Sequence, residues 1–254
     1  MHSGSIAIQP KRAQWFDFQS VEASLRSAYR QAHIQYRRDD DLEVATANHR
    51  RLAGILESIC SSFGRRISVL DAGCGTGRYF HCLKDVARLV GIDLSPEMLR
   101  AAKTPVRQEE ISAETIELVC GNIHGVSFPP RSFDFIYSLG MFGHGCPLTV
   151  ELCDKFYDWL ATGGELFFNT LDVRTFPVAT RLRKRVRRFI WPLLPRRCRQ
   201  ILQTRGGGLP FFGLTKRSLE ATLNASPFGE FDVCRHACRS PLWRGVHLEC
   251  RASK

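Results

Sequence analysis

The sequence predicts an α/β fold built on a doubly wound, mainly parallel sheet of seven strands, and three observations predict it. First, short apolar runs at Ile67 to Leu70, Arg88 to Asp93, Ile116 to Cys120, Phe133 to Ser138 and Glu165 to Asn169 alternate with helix-patterned segments. That alternation is how parallel strands joined by crossover helices read. Second, the first run ends in Asp71-Ala-Gly73-Cys-Gly75-Thr-Gly77, an acidic residue and a glycine cluster where a buried strand meets a turn. Third, Phe231 to Ala237 and Gly245 to Arg251 follow each other around Pro241 with no helix between them. One of them must run antiparallel and close the sheet as a hairpin.

The elements follow in order. Leu42, Ala45, His49, Leu52, Ile55, Leu56 and Ile59 recur every three or four residues and form one apolar stripe of a helix. Tyr29 to Tyr36 forms another helix, or its approach, just before it. Arg78 to Leu83 continues from the glycine cluster as a helix. Ser95 caps, and Pro96 opens, a helix over Glu97 to Lys103. Leu148 to Leu160 is a helix ended by Thr162-Gly163-Gly164, and Thr215 caps a last helix through Leu223. The expected organisation is a helical cap over 1–60, a core over 61–171, a basic insertion after the fifth strand over 172–214, and a helix and hairpin over 215–254 that complete the core domain.

The chain has 254 residues, enough for one substantial core, with 44% hydrophobic and 24% charged residues. It holds no run of 18 apolar residues, so no membrane span is expected. Met1 to Pro10 lacks the apolar core of a secretory signal. The ten cysteines are scattered and several fall in apolar segments, which fits a reduced, cytoplasmic setting better than a disulfide framework. Cys234, His236 and Cys238 alternate as on a strand and lack a second ligand pair, so no metal is expected. Charge is uneven: thirteen Lys/Arg and no Asp/Glu lie between Val173 and Leu219, leaving 23 basic and 25 acidic residues elsewhere. The surplus of +11 is therefore a property of one segment and needs its own explanation.

In a doubly wound sheet, ligands bind at the carboxyl ends of the strands where the strand order reverses. Glycines at the end of the first strand let the backbone turn sharply and let a ligand approach without a Cβ in the way. Asp93, at the end of the second strand, offers a carboxylate to both hydroxyls of a ribose. A dinucleotide site would bring a pyrophosphate to a helix N-terminus. Here the glycines alternate as G-x-G-x-G after Asp71, which would repel a pyrophosphate and would suit a cationic group.

Val69-Leu-Asp-Ala-Gly-Cys-Gly-Thr-Gly77 followed by Gly91-Ile-Asp-Leu-Ser-Pro-Glu-Met-Leu99 resembles the first two motifs of the class I S-adenosylmethionine-dependent methyltransferases, whose sheet is Rossmann-like. Gly121-Asn-Ile123, Phe133-Asp-Phe-Ile-Tyr-Ser138 and Leu160-Ala-Thr-Gly-Gly-Glu-Leu166 resemble the family's third contact region, its fourth strand and its turn into the fifth. The resemblance covers roughly residues 65 to 171 and the closing hairpin. It implies S-adenosyl-L-methionine as cofactor, with Gly73, Gly75 and Gly77 along its methionyl end and Asp71 supporting the ammonium. Asp93 would hold the ribose, Leu94 and Met98 flank the adenine, Asn122 and Ile123 read its edge, and Ser138 complete the set. Many family members carry Asp where this chain has Asn122; an amide oxygen also accepts from an adenine amino group.

Methyl transfer from a sulfonium needs alignment, exclusion of water and, for some acceptors, a base. His144, in the loop after the fourth strand, is the candidate general base because its ordinary pKa lies near neutrality. Tyr36 and His124 are further candidates, and Asn169 and Asp172, ending the fifth strand, would orient a substrate. The Asp/Asn-Pro-Pro-aromatic signature of enzymes that methylate base amino groups is replaced by Ser138-Leu-Gly-Met. Between Arg181 and Arg199, Leu182, Val186, Phe189, Ile190 and Leu193 recur at helical spacing, with Arg183, Lys184, Arg185, Arg187 and Arg188 at the other positions; Pro192 and Pro195 would end the helix, and Gly206-Gly-Gly208 reads as a hinge. This segment reads as a lid over the acceptor, as a peripheral membrane-surface helix, or as an RNA contact. The expected activity is methylation of an O or N nucleophile, less readily C, of a small or lipid-like molecule. An RNA-modifying methyltransferase and an inactive cofactor-binding interaction module are the alternatives.

Overall fold

The computed structural model describes residues 18–143, 145–175, 190, 193–195, 212–239 and 244–254. Helix α1 runs Phe18–Glu43 and α2 Ala47–Ser62; strands β1 Ile67–Ala72 and β2 Val86–Asp93 follow. Then come α3 Pro96–Ala102, β3 Thr115–Cys120, β4 Phe133–Phe142, α4 Val150–Trp159 and β5 Leu160–Leu171. Helix α5 Lys216–Asn224 and strands β6 Glu230–Arg239 and β7 Arg244–Ser253 complete the described elements.

The seven strands form one sheet in the order β3-β2-β1-β4-β5-β7-β6. Strands β1 to β5 pair in parallel, and β7 runs antiparallel to both β5 and β6. The expected doubly wound sheet with an antiparallel closing hairpin is therefore present. Its strand order reverses between β1 and β4, so the crevice for a ligand opens at the carboxyl ends of those two strands.

Each strand sends alternate side chains to opposite faces, and both faces are covered. Leu70 and Ala72 of β1 join Leu152, Phe156 and Trp159 of α4 and Leu219 and Leu223 of α5 in one cluster. Ile67 and Val69 join Leu52, Leu56 and Ile59 of α2 and Leu99 and Ala102 of α3 in the other. A fully buried leucine contributes about 1.5–3 kcal/mol, so α2 is held by its apolar stripe more than by helix propensity.

Local chemistry sets the helix starts. The Ser95 hydroxyl accepts from the Met98 N–H at 3.3 Å with Pro96 in the first turn, and Thr149 accepts from Leu152 N at 3.2 Å. Thr215 and Ser218 form a reciprocal capping box at α5.

Three expectations are corrected. Arg78 to Leu83 is not an α-helix: it turns through Phe80–Cys82 as a single 3-10 turn. Residues 78–85 must both leave the glycine loop and re-enter the sheet at Val86, which leaves no length for a helix and its connection. Thr162-Gly163-Gly164 does not end α4, which stops at Trp159. It forms a bulge inside β5, where the pairing with β4 jumps from Phe133↔Leu160 to Phe135↔Glu165. The apolar stripe begins at His49, because Leu42 closes α1 and is 61% exposed and Ala45 lies exposed in the turn. Of the basic segment, Ile190 and Leu193 are described and both are exposed; its helix, Pro192 and the Gly206–Gly208 hinge lie outside the described residues.

Candidate functional site

A deep cavity lies at the carboxyl ends of β1, β2, β4 and β5, roofed by α1. Its floor is the turn after β1. Gly73 N and Cys74 N both donate to Ile92 O, at 2.8 and 3.0 Å, which folds the loop across the end of β2. Gly73 takes φ +80°, and a Cβ there would meet the Met141 side chain at 2.7 Å. Only glycine fits this backbone at this distance. Around the Cβ direction of Gly75 there is open space within 4 Å, a hollow in the cavity wall.

Two carboxylates frame the loop. Asp93 accepts from Gly75 N at 2.9 Å and Ser95 N at 2.8 Å, which fixes its plane at the cavity edge. Burial raises its pKa, and those backbone N–H groups pull it back. Asp71 is buried, accepts from the Tyr137 hydroxyl at 2.7 Å, and is pushed up to about 7 by burial. A cation placed beside it would restore its charge.

Helix α1 supplies the roof. Glu22, Leu25, Tyr29, Tyr36 and Glu43 line the cavity, and their spacing puts them on one face of the helix. Asp40, fully buried, locks this roof to the loop by accepting from the Thr76 hydroxyl and the Arg78 guanidinium. Glu22 also accepts from Asn122 Nδ2 at 3.1 Å.

Of the sequence-predicted residues, Asp71, Gly73, Gly75, Asp93, Leu94, Met98, Asn122 and Ile123 come together in the cavity wall, with Tyr36, His124 and Asn169. Asn122 Oδ1 accepts from His124 N at 3.0 Å, so its oxygen is already engaged. His124 Nε2 sits 3.1 Å from Pro147 O, where its N–H donates. Asn169 accepts from Gly140 N at 2.8 Å and so pins the end of β4, where its pairing with β5 shifts between Ser138 and Phe142.

Other predicted residues stand elsewhere. Gly77 does not line the cavity; it takes φ +78°, and a Cβ would meet the Phe80 ring at 2.7 Å, so it serves close packing. Ser138 is buried with its hydroxyl donating to Ala72 O at 2.7 Å, tying β4 to β1 behind the wall. Asp172 accepts from Arg235 Nε at 3.0 Å and Arg174 N at 2.9 Å, away from the cavity lining. His144 lies outside the described residues.

The cavity also contains residues that the sequence did not single out. Glu43 Oε2, Asn48 Oδ1 and His247 Nε2 are buried in its wall with no hydrogen-bond partner among the described residues. Such groups cost about 1–3 kcal/mol each unless a ligand or water satisfies them. His247 lies on β7 opposite Leu171 of β5, and burial lowers its pKa, so the ring is neutral at pH 7.

Comparison with known proteins agrees with this geometry. Residues 69–164 match a family model described as a methyltransferase domain. The chain is 33% identical over 117 residues to a malonyl-[acyl-carrier protein] O-methyltransferase of Priestia megaterium, covering 45% of this chain and 40% of that one. It is 32% identical over 123 residues to a carboxy-S-adenosyl-L-methionine synthase of Trichodesmium erythraeum, covering 46% and 47%. The chain thus spans less than half the length of these curated relatives. The fold matches that of 1,6-didemethyltoxoflavin-N1-methyltransferase of Burkholderia thailandensis, solved with S-adenosylhomocysteine. The TM-score is 0.61 at 19% identity, over 99% of this chain and 98% of that one. Glycine loop, second-strand aspartate, strand order and matched domain converge: residues 69–164 are similar to a methyltransferase domain, and the sheet around them has the fold of a structure solved with S-adenosylhomocysteine.

Proposed function

We propose that the chain is an S-adenosylmethionine-dependent methyltransferase that methylates an oxygen or nitrogen nucleophile of a small or lipid-like molecule. The observation that carries this reading is the Asp93 carboxylate, fixed by Gly75 N and Ser95 N at the cavity edge beside the open hollow at Gly75. Its remaining lone pairs suit a ribose diol. Asp71 gives a methionyl ammonium a buried counter-charge next to Gly73. Leu94 and Met98 supply apolar walls for an adenine, with Asn122 and Ile123 at its edge. A dinucleotide is disfavoured because no α-helix follows the glycine loop before β2, so a pyrophosphate would meet no helix N-terminus.

When bound, the cofactor supplies a methyl group activated by its sulfonium. The chain's own work is then to hold the acceptor in line and exclude water. The α1 roof, with Tyr29 and Tyr36 in the cavity wall, covers the acceptor's side, and Asn169 holds the irregular end of β4 at Gly140 in place. For an acceptor that must lose a proton, His247 Nε2 is suited as the base: it is neutral, faces the cavity and has no other partner among the described residues. His144 remains the base that the sequence alone suggests.

The test incubates purified protein with methyl-labelled S-adenosylmethionine and a panel of lipophilic phenols and amines, with total RNA as a separate arm. Label in an extractable small molecule supports the proposal. Label in RNA alone supports an RNA-modifying enzyme, and cofactor binding with no transfer to any acceptor supports a binding module.

A further inference from the structure

Beside the turn that follows the glycine loop, three side chains with metal-binding atoms converge. His49 comes from α2, and His81 and Cys82 come from the 3-10 turn; all three are buried. His49 Nε2 and His81 Nε2 are 3.4 Å apart, and Cys82 Sγ lies 3.4 Å from His81 Nε2 and 3.7 Å from His49 Nε2. Among the described residues this is the group of such side chains that could hold an ion.

The dimensions of this triangle carry the inference. Around a tetrahedral ion with bonds of about 2.0 Å to nitrogen and about 2.3 Å to sulfur, ligand atoms lie about 3.3 Å apart for N to N and about 3.5 Å for N to S. The observed N-to-N separation of 3.4 Å lies close to the first value, and the two N-to-S separations of 3.4 and 3.7 Å lie on either side of the second. Two imidazoles bound through Nε2 to one such ion also have ring centres about 5.2 Å apart. The centres of His49 and His81 are 5.3 Å apart, and His49 is held in place by stacking on Tyr79 with ring centres 4.8 Å apart. A set of two imidazoles and one thiolate suits a borderline-soft ion, and excludes the hard cations that take oxygen ligands.

We propose that His49, His81 and Cys82 bind a divalent transition ion, zinc by ligand chemistry, with the fourth position left to water or an added ligand. The ion fastens α2 to the turn that carries Thr76 and Arg78. Asp40 of α1 fastens the same turn through those two side chains. The site is therefore a structural brace for the glycine loop, and it stands whether or not the cavity binds S-adenosylmethionine.

The test uses the full chain, produced in zinc-supplemented medium and purified without chelators, with zinc chloride and cobalt chloride as the probes. Elemental analysis is expected to find one zinc per chain. Competition with a chromophoric chelator is expected to show more than about 100-fold weaker zinc binding in Cys82→Ser and His81→Gln. That loss exceeds the roughly 10- to 100-fold cost of altering a group that merely orients a ligand. Cys234→Ser, an exposed cysteine on β6, keeps the wild-type affinity. Cobalt-loaded wild-type protein should show tetrahedral ligand-field bands with a thiolate-to-cobalt charge-transfer band. Wild-type protein without zinc, or cobalt protein lacking the charge-transfer band, would overturn the proposal even where the Cys82 variant fails to fold.

Discussion

Asp40 is the buried contact that ties the roof to the glycine loop, and its removal has a calculable cost. Asp40 is fully buried, and the Arg78 side chain it accepts from is 16% exposed. Asp40→Ala leaves a largely buried guanidinium without its nearest counter-charge and frees the Thr76 hydroxyl. Breaking a buried pair by removing one partner costs about 3–5 kcal/mol, well above the roughly 0–1 kcal/mol of an exposed pair. A domain of this size loses about 2–4 °C of melting midpoint per kcal/mol, so the midpoint should fall by about 6–20 °C. Thermal unfolding followed by circular dichroism reads this directly. Because the pair is buried, the drop should persist at high salt. The double variant Asp40→Leu with Arg78→Met removes both charges and should recover much of the loss. A midpoint within about 2 °C of wild type for Asp40→Ala would refute the reasoning, since an exposed pair behaves that way.

Gly73→Ala forces a Cβ to 2.7 Å from the Met141 side chain at φ +80°, so it should cost about 1–3 kcal/mol and weaken cofactor binding, read by calorimetry. Asp71 has a folded pKa of about 7, above its ordinary value, so the folded state binds the extra proton between the two. Stability of the ligand-free protein should therefore fall as pH rises from the ordinary carboxylate range through 7 and level off above it. In Asp71→Asn, chemical denaturation at several pH values should show that slope removed. His247→Gln should reduce turnover by about 10²–10⁴-fold for an acceptor that must lose a proton, with cofactor affinity held. Equal turnover in wild type and variant would reassign the base.

Much of the sheet was legible because buried parallel strands are continuous apolar runs, and Ser95-Pro96 and Thr215 announce their helices chemically. The turn after Gly77 misled because its apolar residues suit a helix, whereas chain length decides against one. The roof was largely hidden. Tyr36 stood out, but Glu22, Leu25, Tyr29 and Glu43 mix polar with apolar character and form no hydrophobic stripe, although their helical phase was there to read. Asp40 sits in an Asp39-Asp40-Asp41 run that reads as a solvated face, and only the fold turns it inward. His247 is remote in sequence from every cavity residue. The β5–β7 register, Leu171↔His247, brings it there, and register between distant strands has no local signal. The same holds for His49, read as a stripe residue, whose partners His81 and Cys82 arrive by the course of the turn.

The central claim is that the glycine loop and Asp93 hold S-adenosylmethionine. Calorimetric titration of the purified chain with S-adenosylmethionine, beside Asp93→Ala and with NAD as control, tests it most directly. Hydrogen bonds to a charged group contribute about 1.5–3 kcal/mol each, so losing two to a ribose should weaken binding by about 100-fold or more. Saturable binding to wild type, that loss in Asp93→Ala, and no response to NAD are the predicted results. A correctly folded wild-type chain that ignores S-adenosylmethionine, or an Asp93→Ala variant that binds it as tightly, would contradict the account.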